Sequence, residues 1–238
     1  MNKISSAITL LAMLVMAACN NSSDSATTAA ATDTVKAAVV DSTPKAPEFK
    51  PFDVVEVSHA VKDYAKWRPL FNNDSVARKA SGMELIVVSR ELNKPNNLMI
   101  TLQVSDTQKT KAFIADPRLK KVMAKGGVIG KPGIAWYHVI RMNPNSKEKQ
   151  WVVITHKVKD FDAWLKVFDG EASARPSYGL VDVVLARGIE DPNTVQIVFD
   201  IKDMTKAKAR MNDPALKKLM MDAGVEGAPK IVFYSQGD

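Results

Sequence analysis

The chain has 238 residues, 46% of them hydrophobic and 25% charged, with a formal net charge of +7 and a single cysteine. Apolar content at that level is enough for a compact core, and it excludes a chain that is disordered throughout. One cysteine excludes any disulfide framework within the chain, so the core must be held by packing alone.

Taken from the start, Met1-Asn2-Lys3 is a short positive region. It is followed by an apolar run that ends in Met16-Ala17-Ala18 before Cys19. The run is too short to span a bilayer and has the layout of a secretory signal. Its exit resembles the lipobox of bacterial lipoproteins, with Met16 where that motif prefers Leu. The resemblance implies a signal peptide over residues 1–18, lipidation of Cys19, and attachment to a membrane through the lipid. Asn20 is not an Asp-type retention residue, so the expected address is the outer membrane facing the periplasm. Residues 19–51 are rich in Ser, Thr, Ala, Asp and Pro. They read as a disordered tether, with a reach on the order of 30 Å.

From there the chain repeats itself. Val57-Ser58-His59-Ala60-Val61-Lys62-Asp63-Tyr64-Ala65-Lys66-Trp67 returns as Ile154-Thr155-His156-Lys157-Val158-Lys159-Asp160-Phe161-Asp162-Ala163-Trp164, a constant 97 residues on. The offset holds without a gap from residues 54–138 to residues 151–235, with roughly a third of the positions identical. This is the signature of an internal duplication. Each copy opens on an alternating strand that places Val55, Val57 and His59, or Val152, Ile154 and His156, on one face. Asp63 and Asp160 are N-cap candidates for the helices that follow. Tyr64, Trp67 and Phe71, matched by Phe161, Trp164 and Phe168, form an apolar helical stripe. A polar loop with Arg78 and Gly82 (Arg175 and Gly179) comes next. Residues 83–90 and 98–104 then read as strands, separated by a turn at Asn93-Lys94-Pro95-Asn96-Asn97, with Asp191-Pro192-Asn193 in the second copy. Asp106 and Asp203 start a second helix; Asp116-Pro117 and Asp213-Pro214 restart a short one. Residues 134–140 and 231–234 are closing strands.

The order β-α-β-β-α-β is the ferredoxin-like split βαβ unit. One such unit covers only one sheet face with helices, so a second unit is needed to cover the other. The expectation is α+β, with repeat 1 over residues 52–141, a linker over 142–150, and repeat 2 over 151–238. Packed sheet to sheet, they would form a fused pseudo-dimeric barrel and a monomeric chain. The pattern His-x-Val-x-Asp-aromatic-x-x-Trp-x-x-x-Phe, then Arg, Gly, a Pro-Asn turn and Asp-Pro-x-Leu-Lys-x-x-Met-x-x-x-Gly-Val-x-Gly-x-Pro, resembles the dimeric α+β barrel superfamily. Within it, the chain is similar to antibiotic-biosynthesis-monooxygenase-like domains. That resemblance implies the fold and leaves the activity open, because its members include cofactor-free oxygenases, haem-binding and haem-degrading proteins, isomerases and domains without known activity.

The candidate site residues are His59, Trp67 and Arg78 with their counterparts His156, Trp164 and Arg175. A histidine at the end of an apolar strand face serves as a base, a haem ligand or an anchor for a polar ligand. It equally serves as a core-edge residue bonded to backbone. The tryptophans either wall a cavity or pack the core, and the arginines either clamp an anion or pair with a helix carboxylate. Arg90 and Arg187 read as surface residues. No metal-ligand spacing is present, no cofactor is required by the sequence, and haem stays open. The basic helical segments around Lys109 to Lys125 and Lys206 to Lys218 read as a solvated face, without the basic-aromatic platform of a nucleic-acid binder. Three readings follow: an envelope lipoprotein that binds a small apolar or aromatic ligand in pseudo-equivalent pockets, an oxygenase-like or haem-handling enzyme, and a non-catalytic interaction module.

Overall fold

A computed structural model of the protein describes residues 49–237. The expected signal peptide, Cys19 and nearly all of the expected tether lie outside the described residues.

Strand β1 (Phe52–Val61) leads through Asp63 into α1 (Tyr64–Asn73) and α2 (Ser75–Ala80). Then come β2 (Met83–Glu91), β3 (Lys94–Val104), α3 (Thr107–Ala115), α4 (Pro117–Lys125) and β4 (Val128–Met142). The second half runs β5 (Gln150–Val158), α5 (Phe161–Gly170), a 3-10 turn (Arg175–Tyr178), β6 (Leu180–Gly188) and β7 (Thr194–Ile201). It ends with α6 (Met204–Met211), α7 (Pro214–Asp222) and β8 (Val225–Gln236). Asp63, Asp106, Asp116, Asp160, Asp203 and Asp213 all accept a backbone N–H of the first helical turn, as expected of them. Each such cap is worth about 1 kcal/mol.

Every strand pairing is antiparallel, and the order β1-β3-β2-β8-β5-β7-β6-β4 closes on itself. The fold is thus α+β and ferredoxin-like, with eight antiparallel strands. Two seams join the halves: β2 meets β8 at Arg90 and Ser235, and β4 meets β6 at His138 and Arg187. Closure is narrow at the β2–β8 seam, where Ser89, Arg90 and Glu91 pair with Gln236, Ser235 and Tyr234.

The pleat separates two kinds of core. Val55, Val57, Leu98, Ile100 and Leu102 pack with Tyr64 and Trp67 of α1, between sheet and helices. Val152, Ile154, Val195, Ile197 and Phe199 do the same with Phe161 and Trp164 of α5. The alternate residues Met99, Val153 and Tyr234 meet inside the barrel, with Val198 and Val232 against them.

Several details differ from the sequence reading. The first-half hairpin turns at Leu92-Asn93, because Lys94 to Asn97 join β3 in an irregular stretch, where Arg90 Nε donates to the carbonyl of Pro95 at 2.8 Å. The stretch with Arg78 forms α2 rather than a loop. Both closing strands are longer than expected, because their starts, from Val128 and Val225, continue the pairing with β1 and β5 past a bulge. Arg90 and Arg187 are half-buried, stacked 4.0 Å over Tyr64 and 3.8 Å over Phe161, so cation–π contact removes them from the open surface.

Candidate ligand cavity

His59 ends the helix-facing side of β1 and meets Trp67 of α1 edge-on, with ring centroids 5.7 Å apart. Trp67 stacks on Phe71 one turn along, at 4.8 Å. His156, Trp164 and Phe168 repeat this, at 5.5 and 5.0 Å. Both histidines are buried, and neither ring nitrogen of either one has a hydrogen-bond partner or contact with solvent. The backbone bond expected of a core-edge histidine is therefore not made. Burial without a partner penalises the imidazolium, which lowers both pKa values from 6.5 to about 4. At neutral pH both rings are uncharged.

Arg78 and Arg175 are buried as well. Each reaches back seven residues to a carbonyl near the end of the preceding helix, Arg78 to Phe71 at 2.6 Å and Arg175 to Phe168 at 2.7 Å. Each also lies over that phenylalanine ring, at 3.7 and 4.1 Å. Arg175 adds a two-pronged pair with Asp182 of β6, at 2.6 and 2.7 Å. Each of these carbonyls also accepts a backbone N–H, from Asp74 or Glu171 at 3.3 Å, so the guanidinium groups add a second donor at a helix end, which is a job in the fold.

In the first half a cavity of about 820 Å³ opens between the sheet and α1, α3 and α4. Its wall includes His59, Trp67 and Arg78 together with Phe71, Met83, Ile100, Leu102 and Phe113. His156, Trp164 and Arg175 have no part in it. The second half carries bulk where the first has room. Phe199 replaces Leu102 and lies 6.3 Å from Phe168, while Tyr178 replaces Ser81, packs on the core and is stacked under Arg210 at 4.3 Å. Arg210, in the place of Phe113, bridges Glu171 and Asp213. Even retention of His, Trp and Arg marks shared packing. The cavity is marked by positions where the copies differ in size, and comparing them pairwise at the 97-residue offset would have found Leu102 and Phe113.

A second feature lies inside the barrel. Glu56 is buried, accepts from Gln196 Nε2 at 2.8 Å, and faces Thr101 Oγ1 at 3.5 Å. Burial raises its pKa from 4.5 to about 7, against the lowering effect of those hydrogen bonds and of Lys230. Burial and the Glu56 charge together push the Tyr137 and Tyr234 hydroxyls up to about 12. Nothing in the reading of β1 singled out Glu56, because its partner lies 140 residues away. Among the described residues no group of three or more His, Cys, Asp or Glu is arranged to hold a metal ion.

No family model matches the chain, and no curated protein matches it either. Solved structures do. The chain is similar to an anthrone oxidase-like protein at 13% identity and a TM-score of 0.53, covering 79% of this chain and 92% of that one. It is also similar to a monooxygenase-like protein from Listeria innocua (14% identity, TM-score 0.47, 79% and 95% covered). A third is a heme-degrading enzyme from Listeria monocytogenes (13%, 0.42, 77% and 99%). Likeness at this identity is a likeness of fold.

Proposed function

We propose that the protein is an envelope lipoprotein whose barrel binds a small apolar or aromatic molecule in the first-half cavity. The observation that carries this reading is the cavity itself. Its volume of about 820 Å³ falls within the range of roughly 300–1,000 Å³ typical of small-molecule sites, and its lining is dominated by Trp67, Phe71, Ile100, Leu102 and Phe113. The two halves act as the protomers of a fused pseudo-dimer, which makes the chain a monomer. It is lipidated at Cys19, tethered by residues 19–51 and held at the outer membrane facing the periplasm, without a nucleic-acid partner. The leader sequence supports that address, and the 97-residue offset supports the pseudo-dimer.

Catalysis is the second reading. The likeness of fold to an anthrone oxidase-like protein makes an oxygenase assay worthwhile once a ligand is in hand. Haem fits the first-half site poorly. An iron would need an imidazole nitrogen open to the cavity, and both nitrogens of His59 are sealed within protein.

The test is a thermal-shift screen of the chain from Asn20 onward, which keeps every described residue, against 1-naphthol, flavins, quinones and haemin. A ligand at a hundred times its dissociation constant stabilises by about 2.7 kcal/mol, an increase easily read as a higher melting temperature. A screen with no shift from any aromatic probe would sink the aromatic form of the binding reading. A Soret band on haemin titration would restore the haem reading.

A further inference from the structure

The cavity has an unusual mouth. Leu70, Val122 and Ile134 line it while 44%, 45% and 40% exposed, and Ile129, between the lining residues Val128 and Gly130, is 51% exposed. These four make up half of the eight large apolar side chains exposed among the described residues. Their counterparts in the second half are Val167, Leu219 and Ile231, all partly buried, and Glu226, which is charged. An exposed apolar collar is unfavourable in water unless something covers it. A compact ring held deep in the cavity would leave the collar wet.

Charge at the same wall is one-sided. Asp116 caps α4 and is taken up by Arg118, whose Nη2 lies 2.6 Å from its carboxylate. Asp74 sits in the field of the Arg78 guanidinium. Lys120 and Lys131 also line the cavity and make no ion pair among the described residues. Lys131 belongs to the cavity-bearing half alone, since its counterpart is Ala228.

Building on the cavity reading above, we propose that the occupant is a long-chain amphiphile with an anionic head. Its apolar chain enters past Leu70, Val122, Ile129 and Ile134 to lie against Phe71, Ile100 and Leu102. Its head stays outside, beside Lys120 and Lys131. The His59 ring is uncharged, and the buried Arg78 guanidinium in the same wall is taken up by the Phe71 carbonyl and ring, so neither side chain holds an unpartnered charge against a hydrocarbon chain. The chemistry shared by a fatty acid and a lysophospholipid, one apolar chain and one anionic group, satisfies both the collar and the lysines.

The experiment measures calorimetric binding of laurate, monododecyl phosphate, dodecanol and 1-naphthol, each below its micellar concentration, to the chain from Asn20 onward. The Lys120→Glu/Lys131→Glu double variant is titrated alongside. The expected result is that laurate or the phosphate binds. The double variant then weakens that binding by roughly tenfold, leaves dodecanol unchanged and melts within a degree or two of the parent, since exposed charges contribute little to stability. Stronger binding of laurate assigns the head as a carboxylate, and of the phosphate as a phosphate ester. Binding of 1-naphthol without either anionic chain overturns the amphiphile and leaves the cavity reading intact. Equal binding of laurate by parent and variant overturns the role of the lysines and with it the anionic head. Failure of all four probes overturns the cavity reading itself.

Discussion

Glu56 couples the stability of this fold to pH through a single buried side chain. It stands on the barrel-facing side of β1, and its only close amide partner, Gln196, comes from the other half. Because its folded pKa of about 7 lies above the unfolded value of 4.5, the folded state holds a proton that the unfolded state has already lost. Stability from this group is therefore fully present below pH 4.5 and declines as pH rises to about 7. The loss amounts to about 3 kcal/mol for a shift of this size. Glu56→Gln keeps the shape and can still pair with Gln196 through its amide. It should raise stability at pH 8 by about 1–3 kcal/mol and be close to neutral at pH 4.5. Urea denaturation at the two pH values measures this; an equal effect at both would mean that Glu56 titrates in the folded state as it does in the unfolded chain, without a raised pKa.

Among the elements, the duplicated ones were the most legible. The six capping aspartates, the helix stripes and the antiparallel strands all follow from local rules, and so do Gly82 and Gly179. Both glycines have positive φ, at 78° and 69°. A Cβ there would meet Asp106 or Asp203 within 2.7 or 2.6 Å. What local rules could not supply was which faces meet. The Glu56–Gln196 contact breaks the repeat, since the offset puts Val153 and Met99 in their places, and that apolar pair meets in the same barrel interior. The first-half cavity was hidden for a related reason. It is a volume left by small differences in β3, α3 and the loop before β2, while His, Trp and Arg stay constant around it. A size swap on β3 tests this account. Leu102→Phe imports the residue that the second half carries as Phe199 within its packed core. It should abolish binding of any cavity probe and change stability by no more than about 1.5 kcal/mol in either direction. If probes still bind the Leu102→Phe variant as they bind the parent, the first-half cavity is not their site.

For the whole molecule, the two buried histidines and the one buried glutamate pull stability in opposite directions with pH. The histidine pKa values are lowered from 6.5 to about 4, so the unfolded chain binds protons there that the folded chain refuses. Stability from the histidines therefore rises with pH between about 4 and 6.5 and is complete above that. Across most of that window Glu56 acts the other way, but with one proton against two. The net slope is upward to about pH 6.5 and close to flat towards pH 7, where the histidine and Glu56 contributions nearly cancel. Surface carboxylates held low by their partners, such as Asp106, Asp116 and Asp191, add acid sensitivity only at lower pH. Replacing both rings, His59→Phe with His156→Phe, fills the same space without the titrating nitrogens and preserves an aromatic contact with Trp67 and Trp164. Melting temperature against pH should then lose its rise between pH 4.5 and 6.5 and decline across that range, with Glu56 and Asp200, both raised by burial, in control. A variant that keeps the parent's rising slope would mean that the histidines are hydrated and titrate freely in the folded barrel. Their sealed nitrogens would then have to be abandoned, and with them the uncharged ring that His59 presents to the cavity.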